Sequence, residues 1–407
     1  MNVSTQTQAI LLMTAWFTKP AKGDAKPLTP TEWGRFAAWL KEQNRSPEAL
    51  LASGDPQECL DGWLDPTVTP ARIRYLLGRS GALGLALEKW QRSGLWVMTR
   101  SDADYPSRLK KRLKLDAPPV LFGCGDRQLL DRGGIAVVGS RAASEADLDF
   151  TARLGAEIAA QGFSVVSGGA RGVDETAMLG ALAKEGTVVG VLSDSLLRTA
   201  TSAKYRQGLM GKSVVLVSPF NPEAGFDVGN AMARNKYIYC LSDAGIVVST
   251  SKEKGGTWNG AVESLKYGWV PLWVKKHADP DSGNAALVKL GARWLPSENL
   301  AVSSLVPQGQ LTSLPPSPSP RAGAPGGKAE VSVATDRVSF YELFVRRLET
   351  LTSKRPLTLD ELLQQIDVGK SQMNDWIKRA EAEGRVSKLK KPVRYALARA
   401  AQQRLDL

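Results

Sequence analysis

Two short segments of this chain combine residue types and spacing suited to holding phosphate. The first, Val138-Gly-Ser-Arg-Ala-Ala-Ser144, follows an apolar run and precedes a helical pattern. Gly139 lets the backbone turn tightly at a strand's carboxyl end, and amides exposed there with Ser140 make a seat for an anion. Arg141 adds a planar, fork-shaped cation matched to phosphate oxygens. Ser144 reads as a helix N-cap, with Asp147 three residues on. The second segment, Val166-Ser-Gly-Gly-Ala-Arg-Gly-Val-Asp174, repeats the design. Ser167, Gly168, Gly169 and Gly172 permit a tight loop, Arg171 projects from it, and Asp174 is expected to cap a helix over Glu175–Glu185. Either arginine alone reads as a solvated loop charge. Two strand ends that each pair glycine amides with one arginine read as a groove for two or more phosphates.

Further candidates follow along the chain. Ala233-Arg-Asn-Lys-Tyr-Ile-Tyr-Cys-Leu-Ser242 places Arg234 and Lys236 beside Asn235, at the expected opening of an apolar helix. Lys254-Gly-Gly-Thr257 supplies a third glycine-rich helix start through Gly255, Gly256 and Thr257. Lys204 is the remaining cation assigned to the set. The dinucleotide fingerprint GxGxxG is absent, which disfavours NAD and FAD.

Composition narrows the chemistry. The 407 residues carry a net charge of +12, an excess that favours nucleic acid or another anionic partner. The chain has one histidine, His277, and three scattered cysteines with no CxxC pair, so the usual zinc ligands are missing. A Ser-His-Asp or Cys-His hydrolase would have to use His277, which sits in Lys275-Lys-His-Ala-Asp-Pro280 and reads as a surface loop residue. Neither a catalytic centre nor a cofactor or metal is expected. No apolar run reaches the ~18–20 residues of a membrane helix, and Met1–Met13 lacks the features of a secretory signal. A cytoplasmic protein without a membrane partner is the expectation.

The elements that must position these loops separate by texture. Residues 1–100 look helical and hold six of the eleven tryptophans. Thr29 or Thr31 caps one helix, and Ala71–Trp90 carries another apolar stripe. Tryptophans at such spacing build core, although Trp interleaved with Arg can also stack on bases. Residues 101–300 alternate short apolar runs with amphipathic helical patterns. The runs are Ile135–Val138, Ser164–Val166, Thr187–Leu192, Val214–Val217, Gly245–Val248 and Val270–Val274. Strands too apolar to alternate, separated by helices, mean an α/β fold with a parallel sheet covered on both faces. Residues 301–335 are rich in Pro, Gly and Ser and read as a linker. In residues 336–407 three helical stretches and a hairpin pattern follow in the order of a winged helix.

The order of these motifs resembles the DprA/Smf family of bacterial DNA-processing proteins. The resemblance rests on Tyr105-Pro-Ser-Arg-Leu, Pro118-Pro-Val-Leu-Phe-Gly123, the two arginine loops, Arg234-Asn-Lys-Tyr-Ile and Lys254-Gly-Gly-Thr, and covers residues 70–275 best. It implies an extended Rossmann-like core with a helical N-terminal domain of the SAM or helix-hairpin-helix kind and a C-terminal winged helix. It further implies a homodimer that binds and protects single-stranded DNA and helps load a RecA-type recombinase during natural transformation. Arg141 and Arg171 match positions where family members contact DNA phosphates, and Arg234, Asn235 and Lys236 match the family's Arg-Asn-Arg segment. The chain departs from the family pattern at three places. Met178 stands where a histidine is usual, Lys204-Tyr-Arg206 replaces a Tyr-Pro segment only in part, and Gly255-Gly-Thr-Trp258 replaces Ser-Gly-Ser-Leu.

Other readings stay open beside a non-catalytic single-strand binder. Gly255-Gly-Thr-Trp-Asn-Gly-Ala-Val-Glu263 is a loose echo of the motif of nucleotide phosphoribohydrolases, in which Glu263 would be catalytic. A divergent relative could also act in a phage-defence or toxin–antitoxin module with its own partner protein. The winged helix offers Lys378 and Arg379 on the helix around Ser371–Arg379, and Lys388, Lys390, Lys391 and Arg394 on the wing. Those cations suit duplex DNA, while Asp375, Glu381 and Glu383 dilute the face, so a protein contact is the alternative.

Overall fold

The apolar runs of the middle region lie in one sheet of nine strands. The computed structural model describes residues 3–52, 56–277, 282–296, 300–307, 340–352, 355–365, 370–389 and 394–397. The strands are β1 (Trp96–Thr99), β2 (Val120–Gly125), β3 (Ile135–Val138), β4 (Val165–Ser167), β5 (Val188–Val191), β6 (Val214–Ser218), β7 (Ala244–Val247), β8 (Leu272–Val274) and β9 (Arg293–Trp294). Their order is β1-β2-β6-β5-β4-β3-β7-β8-β9. From β6 to β9 every pairing is parallel, whereas β2 joins β6, and β1 joins β2, antiparallel. Ile135 of β3 lies opposite Val165 on one side and Ala244 on the other.

Successive side chains of β3 serve opposite faces, as strand geometry requires. Ile135 and Val137 join Leu154, Ile158 and Ala177 on one face. Ala136 and Val138 join Tyr237, Ile238 and Trp258 on the other. Both faces are therefore covered, and that is why these strands read as unbroken apolar runs. β1, β2 and β9 are strands beyond the six apolar runs of the sequence. β1 is four residues following Gly94, β2 follows Pro118-Pro119 and is interrupted by Gly123, and β9 is two exposed residues.

The helices of residues 1–100 do not form a core of their own. Ile10, Leu12, Phe36, Ile73 and Trp90 belong to the same buried cluster as Val97, Phe122 and Ile135. Residues 1–319 accordingly form one unit, with 320–407 as the second. Trp33, Trp63, Trp90 and Trp96 are buried, and Phe36 packs on Trp63 at 5.1 Å between ring centroids. These tryptophans are core. Thr29 caps Pro30–Glu42 in a full capping box with Glu32. The stripe expected over Ala71–Trp90 is two helices, Pro70–Leu77 and Ser80–Arg92, parted at Gly78. The expected linker begins later than residue 301, because Val302, Leu305 and Val306 are buried against the sheet domain. The rest of it, residues 308–335, lies outside the described residues.

In the second unit, helices Phe340–Thr352, Leu359–Gln365 and Lys370–Ala382 precede an antiparallel pair, Val386–Leu389 with Arg394–Leu397. Leu357 adds a bridge to Tyr395. Phe344, Leu348, Leu362, Ile377 and Tyr395 form the core. This is the winged-helix order.

The helix Val228–Cys240 is fixed at both ends. The Asp227 side chain accepts from the Asn230 N–H at 2.7 Å. The Arg112 guanidinium donates to the carbonyls of Tyr239, Cys240 and Ser242, where the helix dipole favours a cation. Beside it the buried Asp243 carboxylate pairs with Arg108 and accepts the Gly134 N–H at 2.8 Å. Asp243→Ala leaves the Arg108 charge half-buried without its partner. It should lower unfolding free energy by about 3 kcal/mol in urea melts; a change below about 1 kcal/mol would show that the pair is dispensable.

Candidate functional site

The carboxyl ends of β3, β4, β5 and β7 converge on one edge of the sheet. The chain crosses from β3 to β4 on one side, while β7 joins β3 on the other. Such a reversal of strand order opens a crevice between the loops, and ligands of open α/β sheets bind there.

Each loop is shaped by its glycines and tied to its neighbour. The Ser140 N–H donates to the Ser249 carbonyl at 3.0 Å, and the Thr257 hydroxyl donates to the Gly139 carbonyl at 3.0 Å. Gly172 stands before the helix Val173–Leu182 at φ +94°, a conformation that favours glycine. Neither that helix nor Gly255–Tyr267 has a side-chain cap; the Glu175 and Val173 amides donate to the Ala170 and Ser140 carbonyls, whereas the first-turn amides of Gly255–Tyr267 are left for another acceptor.

Beneath the loops lie two buried charges. Asp174 does not cap a helix from Glu175, because the helix already starts at Val173 and Asp174 lies within its first turn. Burial pushes the Asp174 carboxyl above its ordinary pKa, against the pull of Arg234 and of the amides of Gly139, Ala170 and Gly168. Arg234 is 3% exposed. It lies within the helix Val228–Cys240 rather than at its opening, and its Nη1 donates to the Val191 carbonyl. Burial lowers its pKa while Asp174 raises it, and a guanidinium remains charged through such a shift. Its Nε has no hydrogen-bond partner among the described residues.

Two clefts open above this pair. A crevice of about 380 Å³ is lined by Gly139, Ser140, Arg141, Arg234, Asn235 and the turn Lys254–Thr257. A more open groove of about 880 Å³ is lined by Gly168, Gly169, Arg171, Arg198 and Tyr205. Arg141, Ala170, Phe226 and Arg234 line both. The Arg141 guanidinium lies 4.8 Å from the centre of the Phe226 ring, a cation–π pair standing where the clefts meet. Phe226 is 57% exposed.

The structure thus brings together Gly139, Ser140, Arg141, Gly168, Gly169, Arg171, Arg234, Asn235, Gly255, Gly256 and Thr257. Four other candidates line neither cleft. The Ser144 hydroxyl caps the helix Glu145–Ala160, accepting from the Asp147 N–H. The Ser167 hydroxyl is fully buried and donates to the Val137 carbonyl at 2.6 Å. Lys204 pairs with Glu175, and Lys236 lies over the ring of Tyr237. Within the set, the Asn235 amide donates to the Gly256 carbonyl at 2.9 Å, so it and Thr257 brace the loops. Glu263 and His277 line neither cleft; His277 lies in the loop after β8 and is half-buried, with Nε2 2.9 Å from the Val248 carbonyl. Of the winged-helix candidates, Lys378, Arg379, Lys388 and Arg394 are exposed, Arg379 bonding Glu383, while Lys390 and Lys391 lie outside the described residues.

Sequence reasoning missed Phe226 and Arg198. Phe226 carried a signal, since it is a large aromatic in a polar, glycine-containing loop with no strand or helix pattern to bury it. Arg198 follows β5, a third strand end, on a short helix whose start shows no glycine motif. No cluster of three His, Cys, Asp or Glu suited to a metal occurs among the described residues. No helix among them is long and apolar enough to cross a membrane.

A parallel sheet with its crevice at the strand reversal makes this a Rossmann-like α/β protein. A family model described as DNA recombination-mediator protein A matches residues 96–305, and the chain belongs to that family, the DprA/Smf proteins. It is 28% identical over 233 residues to the DNA processing protein DprA of Bacillus subtilis, covering 55% of this chain and 77% of that protein. It is 26% identical over 227 residues to the protein Smf of Synechocystis, covering 54% and 56%. The solved structure of DNA processing protein A from Streptococcus pneumoniae superposes with a TM-score of 0.57 at 19% identity. That match covers 75% of this chain and 99% of the other, and is a likeness of fold.

Gly168 is the closest constraint in the site. A Cβ there would lie 1.8 Å from Arg234 Nη1 and 2.4 Å from Asp174 Oδ2. Gly168→Ala must therefore displace a buried charge, at a cost of about 3 kcal/mol in thermal or urea unfolding. Unchanged stability would mean that Arg234 moves freely.

Proposed function

We propose that this protein binds single-stranded DNA in the groove across the ends of β3, β4 and β5, without cutting it, as a DNA-processing protein of recombination. The observation that carries this reading is the meeting of exposed Arg141, Arg171 and Arg198 with an exposed phenylalanine, beside the uncapped first turn of Gly255–Tyr267. Arginines and amides suit a phosphate backbone of any sequence, and an exposed ring suits unpaired bases. Membership of the recombination-mediator family supports the setting, and assistance to a recombinase fits that setting. The phosphoribohydrolase reading loses support because Glu263 lines neither cleft. Exposed Lys378, Lys388 and Arg394 favour an added duplex-DNA contact by the winged helix.

Replacing Arg141 and Arg171 together by alanine should reduce the slope of log affinity against log salt by about 1.4, two single-strand phosphate contacts' worth. An unchanged slope in filter binding would remove the groove from the reading. Phe226→Ala should weaken binding of a homopolymeric single strand by about tenfold while leaving unfolding unchanged, as loss of one stacked base requires.

A further inference from the structure

The crevice differs from the groove in ways that bear on what enters it. It is small, about 380 Å³, near the lower end of ligand pockets. Its charged lining is Arg141, Arg234 and Lys254 against the single carboxyl of Asp174. Two positive charges are left over, the opposite of a phosphate monoester near neutral pH, which carries close to two negative charges. An internal phosphodiester carries one. Arg234 is almost wholly out of water and has an Nε without a partner among the described residues. A buried cation so placed gains from an anion nearby. The uncapped first turn of Gly255–Tyr267 lines the same space and points its amides at it. At the mouth, Phe226, Val228 and Met232 are 57, 62 and 42% exposed, an apolar surface that a flat base would cover.

We infer that the crevice between the ends of β3 and β7 is a seat for one 5′-nucleotide bearing a terminal phosphate. The phosphate lies among Arg141, Lys254 and the Gly255–Thr257 amides above Arg234, and the base lies against Phe226 and Met232. This inference rests on the single-strand reading of the adjoining groove and adds an end to it. A strand running through the groove with its 5′ end toward Arg141 would place that end in the crevice. A free nucleoside monophosphate has the same chemistry and is the other source.

The test compares the intact protein's affinity for three short DNAs of one length and sequence: 5′-phosphorylated, 5′-hydroxyl and circular. A parallel titration uses free dTMP against thymidine. The 5′-phosphorylated strand should bind about tenfold tighter than the other two, as expected for added charge-assisted contacts. Lys254→Ala, which touches only the crevice, should lower that ratio severalfold. Arg171→Ala, which touches only the groove, should weaken all three DNAs and keep the ratio. Saturable binding of dTMP but not thymidine, without an end preference, would assign the seat to free nucleotide. Equal affinity for all three DNAs together with no dTMP binding overturns the inference and leaves the groove reading intact. Failure to bind any of the DNAs overturns the groove reading instead.

Discussion

The site is organised around a buried charge. Arg234 and Asp174 sit below the strand-end loops with Gly168 against both, and water reaches neither well. In so dry a place each ion needs the other and every available dipole. The surrounding geometry meets that need. The amides of Gly139, Gly168 and Ala170 face the carboxylate, the Val191 carbonyl accepts from the guanidinium, and a helix held at both ends carries Arg234. Four segments from different parts of the chain are thereby held in one arrangement. The arginines that reach solvent are presented by loops whose positions this hidden pair helps to set.

The cations of the region divide by role. Arg234 is structural and buried, Lys204 is neutralised by Glu175, and Lys236 is turned along the ring beside it. Arg141, Arg171 and Arg198 remain exposed along the clefts. Net charge therefore overstates what a ligand meets, and position decides. Arg141 is further restrained by the face of Phe226, so a charge and an apolar ring are displayed together before any partner arrives. Order established beforehand lowers the entropy lost on binding.

Much of this was legible in the chain itself. The unbroken apolar runs of β3 to β8 announced a sheet covered on both sides, and the glycine–arginine loops announced where its strands end. What escaped depended on burial. Nothing in Ala233-Arg-Asn-Lys236 separates an arginine turned inward from one turned to solvent, because the burial of Arg234 near Asp174, with Gly168 against both, is a fact of tertiary structure. Ser167 looked like a ligand and became an internal brace for the same reason. Asp174 looked like a cap because it stands after a glycine loop, yet the helix begins one residue earlier. The strands β1 and β2 hid because β2, broken by Gly123, is placed by pairing with β6, and the four-residue β1 by pairing with β2.

That pairing carries a consequence for synthesis. The N-terminal helices close over a layer that includes Phe122 of β2, with Trp90 packed on its ring at 5.0 Å. β2 in turn has its second neighbour in β6, at Val214–Ser218. A ribosome releases the first hundred residues well before that strand exists. The nascent chain must keep a set of tryptophans and leucines without their final cover until roughly half of it has been made, a window in which aggregation competes with folding.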